Sequence, residues 1–173
     1  GTGLAQALAR GNNKVQLWAL EPEVAESVNS SHENKLFLPG FSLSENITVS
    51  NDILEVAAEK EFLIIASPSL YLSSTIKKIT DVPNIADGST VIGALTKGFV
   101  PSPEGPKFVL ETIENSLPPV YKGATVYISG PSHAEEVAMG KLTGLIAASE
   151  NAKNSIRFRE LLRVPGLMVY SSF

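Results

Sequence analysis

Gly1-Thr2-Gly3-Leu4-Ala5-Gln6-Ala7-Leu8-Ala9-Arg10, then Gly11-Asn12-Asn13, then Val15-Gln16-Leu17-Trp18-Ala19-Leu20-Glu21: this opening stretch decides the fold. Leu4, Ala5, Leu8 and Ala9 recur at helical spacing, so Thr2 to Arg10 reads as an amphipathic helix. Gly11-Asn12-Asn13 is a turn, and Val15 to Leu20 is an apolar strand. The strand ends on Glu21, about 20 positions after a glycine that opens a helix. That is the place where a dinucleotide-binding fold receives the adenosine ribose, whose two hydroxyls a carboxylate can accept. Gly1 stands where G-x-G-x-x-G has its last glycine, the one that lets helix and sheet pack closely. The two earlier glycines, and the strand before them, are not in the sequence. Taken alone the half-fingerprint is weak, because a solvated strand end also commonly carries a glutamate.

The rest of the chain repeats the alternation. Strands are expected at Val15–Leu20, Ile47–Ser50, Phe62–Ser67, Thr90–Thr96, Thr125–Ser129, Thr143–Ser149 and Leu167–Ser171. Helices are expected at Thr2–Arg10, Glu23–Ser30, Asp52–Ala58, Leu70–Ile79, Lys107–Ser116, His133–Met139 and Ser155–Leu162. Runs such as Phe62-Leu63-Ile64-Ile65-Ala66 read as strands buried on both faces of a parallel sheet. The expected class is therefore α/β: a doubly wound, Rossmann-like, mainly parallel sheet with its first strand missing. That strand would lie at the sheet centre, and its neighbours would be left with unpaired backbone groups, each costing roughly 1–3 kcal/mol if buried. Residues 1–173 are thus expected to be one cofactor-binding domain, truncated at its start and part of a longer protein. Gly98 to Lys107, with Pro101, Pro103, Gly105 and Pro106, reads as a surface loop. Leu117-Pro118-Pro119 stops the helix before it.

Composition narrows the function classes. The 173 residues carry a net charge of −4 and 18% charged residues, which gives no support for a nucleic-acid or anionic-membrane partner. Cysteine is absent, which removes disulfides, thiolate nucleophiles and cysteine metal sites. His32 and His133 are too few for a zinc constellation. No apolar run reaches membrane-spanning length. The expected location is the cytoplasm.

Candidate chemistry lies after strand ends, where an open α/β sheet binds its ligand. In Ser67-Pro68-Ser69-Leu70-Tyr71, Pro68 stiffens the turn, Ser69 is placed to cap the next helix and Tyr71 offers an aromatic face; a plain strand–turn–helix is the competing reading. Thr96-Lys97-Gly98 puts an ammonium at a strand's carboxyl end, unless the lysine merely snorkels. Ser129-Gly130-Pro131-Ser132-His133-Ala134-Glu135-Glu136-Val137 is the most specific. Gly130 allows close backbone approach, Ser132 and Glu135 have capping-box spacing, and a helix opening there offers free N–H groups to an anion. His133 has no evident Ser or Asp partner and reads mainly as a helix-start residue.

These motifs together resemble the cofactor domain of NAD(P)-dependent glycerol-3-phosphate dehydrogenases, along the whole chain. Gly1-Thr2-Gly3-Leu4-Ala5 is similar to the end of the family's Gly-rich turn, where alanine is more usual at the position of Gly3. Leu17-Trp18 matches its second strand, and Asn34-Lys35-Leu36-Phe37-Leu38-Pro39-Gly40 resembles its N-x-x-[YF]-L-P-G loop. Pro68-Ser69, Thr96-Lys97-Gly98 and the Ser129–Val137 motif follow in the family's order, and Val169-Tyr170-Ser171-Ser172 resembles the strand that closes the domain.

The resemblance implies reversible reduction of dihydroxyacetone phosphate to sn-glycerol 3-phosphate, at the head of phospholipid synthesis. It implies substrate contacts at Lys97, Gly130 and Ser132. It implies cofactor contacts at Lys97, Ala134, Leu20 and Glu21, to which the turns add Gly1, Thr2, Pro68 and Tyr71. The family's catalytic lysine belongs to a helical second domain that nothing here matches. No catalytic residue is therefore expected within residues 1–173, and the segment alone is expected to be inactive. A homodimer through that second domain is a further expectation. NAD is favoured over NADP, because Glu21 would repel a 2′-phosphate and no arginine lies in Trp18–Glu23. The competing readings are a nucleoside-cofactor methyltransferase, a non-enzymatic NAD-sensing module and another two-domain hydroxy-acid reductase.

Overall fold

Helices and short strands alternate from one end of the chain to the other in the computed structural model, which describes all residues, Gly1–Phe173. The order is α1 (Thr2–Arg10), β1 (Val15–Trp18), α2 (Pro22–Ser31), β2 (Ile47–Ser50), α3 (Ile53–Ala57), β3 (Phe62–Ile65), a 3₁₀ turn (Ser69–Tyr71) and α4 (Leu72–Lys77). Then come α5 (Pro83–Ala86), β4 (Val91–Ala94), β5 (Phe99–Val100), β6 (Lys107–Phe108), α6 (Val109–Ser116) and a 3₁₀ turn (Pro119–Tyr121). The chain closes with β7 (Val126–Ser129), α7 (Ala134–Ala138), β8 (Thr143–Ala148), α8 (Ala152–Leu161) and β9 (Leu167–Ser172). This is the expected α/β, Rossmann-like class, with a mainly parallel sheet.

The strands form three sheets. β1 and β2 pair in parallel, in register from Val15 with Ile47 to Trp18 with Ser50. The largest sheet runs β3-β4-β7-β8-β9. β3, β4 and β7 are parallel, and β8 turns antiparallel to β7. β9 returns parallel to β8: the N–H groups of Thr143 and Ser149 donate to the carbonyls of Gly166 and Ser172 at one constant offset. The β1–β2 pair and the sheet containing β3 share no strand.

By its contacts the chain divides into two compact units. The first comprises Gly1–Val56, Gly130–Leu145 and Arg159–Tyr170. Its core gathers Ala5 and Ala9 of α1, Val24, Ala25 and Val28 of α2, Ile47 and Val49 of β2, and Leu38, Leu43 and Ala138. β2 alternates, burying Ile47 and Val49 and exposing Thr48, so only one face is covered. Its free edge is satisfied by a side chain: Asn29 accepts from the Val49 N–H at 2.9 Å and donates to the Val49 carbonyl at 2.7 Å.

The second unit comprises Ala57–Ser129, Ile146–Phe158 and Ser171–Phe173. β4 is buried along its whole length. Gly93 sits in mid-strand because a β-carbon there would stand 2.5 Å from the ring of fully buried Phe158. That ring meets Phe62 edge-on at 5.3 Å. Asn84 ties the layer below: its amide donates to the Ala57 carbonyl and the Thr90 hydroxyl, and its oxygen accepts from the Glu59 N–H.

Several expectations change. Burial on both faces holds for β4 but not for β3, which ends the sheet order and fully buries only Ile65. The stretch read as the loop Gly98 to Lys107 is a hairpin: Phe99 pairs with Phe108 and Val100 with Lys107, antiparallel. Lys107 and Phe108 are therefore strand, and the helix starts at Val109. Two-residue strands give no periodicity to read, and the prolines lie in the hairpin's tip. α5 was not foreseen, since four residues opened by a proline are too short for a pattern.

Candidate functional site

Three of the sequence motifs meet in the first unit. Gly1 is the N-cap of α1, and its carbonyl accepts from the Ala5 N–H at 3.0 Å. The hydroxyl of Thr2, at the start of that helix, accepts from the Asn34 side-chain amide at 3.0 Å. Asn34 is only 2% exposed. Its side-chain oxygen accepts from the Phe37 N–H at 3.0 Å, and its carbonyl accepts from the Leu38 N–H at 2.9 Å. The Asn34–Gly40 loop is thus pinned to the first turn of α1. It buries Leu38 and leaves Phe37 exposed.

The Ser129–Val137 motif reaches the same place. A β-carbon on Gly3 would lie 2.6 Å from the carbonyl oxygen of Ala134, so α1 and α7 touch backbone to backbone. Phe37, Leu38, His133, Ala134, Glu135 and Glu136 line an open cleft of about 450 Å³ there.

Gly130 has φ +146°, and a β-carbon on it would stand 2.5 Å from the Gly144 carbonyl, so both conformation and space require glycine. The capping box is not formed. The Ser132 N–H turns back to the Gly130 carbonyl at 2.9 Å, His133 stays extended as the N-cap, and no side chain caps α7. The helix starts one residue too late for Ser132 and Glu135 to be in capping register. Its first turn also holds Glu135 and Glu136, and the Glu136 carboxylate pairs with Lys141 at 3.3 Å.

Leu20 and Glu21 lie just past the carboxyl end of β1. The ladder extends to Ala19, whose N–H donates to Ser50 at 3.1 Å, and then stops. Asn51 and the Trp18 indole close this end through bonds to the Ala19 and Asn51 carbonyls. Leu20 is 68% exposed, and Glu21 is the extended N-cap of α2, with Pro22 behind it fixing the helix start. The strand is shorter than expected because the chain must turn into α2.

The other two motifs meet in the second unit. The Thr96 hydroxyl, after β4, donates to the Ser67 carbonyl, after β3, at 2.6 Å. The Tyr71 N–H donates to the Pro68 carbonyl and closes a 3₁₀ turn that packs against β5. Ser69 begins that turn and caps nothing, because Pro68 is its N-cap. Pro68, Tyr71 and Lys97 are exposed, and Gly98 has φ +90°. The sequence reading missed the anchoring role of Asn34 and the contacts of Gly3 and Arg10. No local pattern separates a buried asparagine from a loop one.

Residues 1–155 match the family described as NAD-dependent glycerol-3-phosphate dehydrogenase N-terminus. A glycerol-3-phosphate dehydrogenase [NAD(P)+] of Treponema denticola is 44% identical over 99% of this chain and 50% of its own length. One from Bacillus velezensis is 32% identical over 99% of this chain and 48% of its own length. The crystal structure of a glycerol-3-phosphate dehydrogenase from Coxiella burnetii superposes with a TM-score of 0.84, at 27% identity, over 98% of this chain and 50% of that one. The chain spans about half the length of these relatives. Motifs, fold and relatives agree, and the chain belongs to the NAD-dependent glycerol-3-phosphate dehydrogenase family, as a match to its NAD-binding N-terminal part.

Proposed function

We propose that the protein carrying this chain is an oxidoreductase that interconverts dihydroxyacetone phosphate and sn-glycerol 3-phosphate, and that this chain forms its nicotinamide-cofactor part. The observation that carries the reading is the meeting of three distant motifs around the first turn of α1: Thr2 with Asn34, and Gly3 with Ala134. This gathers the Gly1-Thr2-Gly3 turn, the Asn34–Gly40 loop and the Ser129–Val137 motif at the start of one helix, the place where a dinucleotide-binding fold lays its cofactor.

Within this reading Gly1, Thr2, Leu20, Glu21, Pro68, Tyr71 and Ala134 contact the cofactor. Lys97 contacts cofactor and substrate, and Gly130 and Ser132 contact substrate. The bound nicotinamide supplies the hydride. Glu21 accepts the ribose hydroxyls and disfavours a 2′-phosphate, so NAD is preferred over NADP. The ammonium of Lys97 meets substrate charge by a charge-assisted hydrogen bond. The lysine that protonates the reacting oxygen comes from outside residues 1–173, so this chain alone does not turn over. Glycerophospholipid synthesis in the cytoplasm is the proposed setting. No helix is long and apolar enough to cross a membrane.

The test is a steady-state assay of the protein encoded by the whole gene, following NADH oxidation with dihydroxyacetone phosphate. Turnover with this substrate, and none with 2-keto acids, is expected. NADH binding without turnover of any carbonyl substrate would favour a sensing module and overturn the proposal.

A further inference from the structure

Arg10 lies at the last residue of α1, two helical turns beyond Gly3 and on the same face. Its guanidinium does not reach for a carboxylate. One terminal nitrogen donates to the Ala138 carbonyl at 2.7 Å, and the other donates to the Val137 carbonyl at 2.7 Å. These are the carbonyls of the last two residues of α7; the Val137 carbonyl also accepts from the Gly140 N–H at 3.1 Å, so Arg10 reinforces a helix end that the backbone closes only in part. The Nε–H is buried and finds no acceptor. A buried donor left unpaired is unfavourable, so the side chain is held where the two carbonyls are, and not where all its donors would be met. Gly140 lies beside the guanidinium; its φ of +76° favours glycine, while a β-carbon there would meet the guanidinium carbon at an ordinary 3.5 Å.

α7 is therefore gripped at both ends by one face of α1. At its start, the missing side chain of Gly3 lets the Ala134 backbone approach within contact. At its end, Arg10 closes a two-pronged clamp. Fully buried Ala7 lies on α1 between them. α7 has no side-chain cap of its own. A five-residue helix is too short to be stable on its own hydrogen bonds, so its placement is set from outside.

We propose that Arg10 is a positioning residue for cofactor binding: by seating α7 on α1 it fixes Ala134 and the cleft wall that Ala134 shares with Phe37. This rests on the reading of Ala134 as a cofactor contact. Arg10 itself touches neither ligand nor reacting atoms.

The test uses the whole enzyme with Arg10→Met and Arg10→Lys, each compared with the parent. NADH dissociation constants are measured by fluorescence titration well below each variant's Tm, and kcat at saturating NADH. Arg10→Met is expected to weaken NADH binding about tenfold, with kcat changed by less than about twofold. Arg10→Lys keeps a donor but loses the fork, and is expected to recover most of this, leaving a loss of about threefold. Unchanged NADH affinity in both variants, whatever happens to Tm, would reduce Arg10 to a structural brace and overturn the proposal. So would a fall in kcat with unchanged affinity. If Arg10→Met does not fold, the threefold effect in Arg10→Lys decides. A parent enzyme that binds no NADH is a different result: it refutes the functional reading and not the clamp.

Discussion

At the scale of single residues, charge and exposure separate the roles. Glu21 follows β1 as the half-buried N-cap of α2, and Leu20 beside it is mostly exposed. The double change Glu21→Ser with Leu20→Arg removes the repulsion of a 2′-phosphate and adds a partner for it. The ratio of kcat/KM for NADPH over NADH should rise by at least tenfold; an unchanged ratio would show that this strand end does not meet the ribose. Lys97 is an exposed turn residue, so Lys97→Met should leave Tm nearly unchanged. If it binds substrate, kcat/KM for dihydroxyacetone phosphate should fall by about 10–150-fold, the equivalent of one charge-assisted hydrogen bond. Ser132→Ala is the companion variant. Because Ser132 does not cap α7, its stability should move by less than about 0.5 kcal/mol in urea, where a lost cap would cost about 1 kcal/mol.

Among the elements, the α1–α7 contact is the most demanding. Alanine is the better helix former than glycine by about 1 kcal/mol, so Gly3→Ala would stabilise α1 in isolation. Here its β-carbon would meet a backbone oxygen at 2.6 Å, and a backbone cannot swing away as a side-chain tip can. Overpacking of this kind costs about 1–3 kcal/mol. Gly3→Ala is therefore expected to lower the urea midpoint and to weaken NADH binding, because α7 must move off α1. A raised midpoint would show that the helix pair yields freely. Glycine thus stands at position 3 for a reason that lies in α7 and not in α1.

For the whole molecule, the buried polar network around β4 sets a limit on alkaline stability. The Tyr121 hydroxyl donates to the Thr90 carbonyl at 2.9 Å in a buried site. Burial, and second the nearby Asp87 charge, push its pKa up to about 12. The folded state therefore holds this proton at pH values where the unfolded chain, near 10, has released it. The stability this contributes is complete below pH 10 and is lost as pH rises from 10 through about 12. Urea midpoints should fall across that window in the parent. They should fall less steeply in Tyr121→Phe, which should also lose about 1–3 kcal/mol at neutral pH through the unpaired Thr90 carbonyl. Equal slopes would show that other groups govern the alkaline transition.

Much of this protein is local and could be read from the sequence. α1 spans the expected Thr2–Arg10 and β2 the expected Ile47–Ser50, because amphipathic spacing and β-branched alternation act between near neighbours. The order of elements, the α/β class and the placing of Glu21, Ser67, Thr96 and Gly130 after strand ends follow from the same local rules. Tertiary structure decided what those rules cannot reach. It joined Thr2 to Asn34, Gly3 to Ala134 and Arg10 to Val137, across gaps that no propensity spans. It moved the start of α7 past Ser132 and paired Phe99 with Phe108 into a hairpin. The deciding terms are hydrogen bonds, strand pairing and steric exclusion between residues that are not neighbours in the chain, which exist only once the chain has folded.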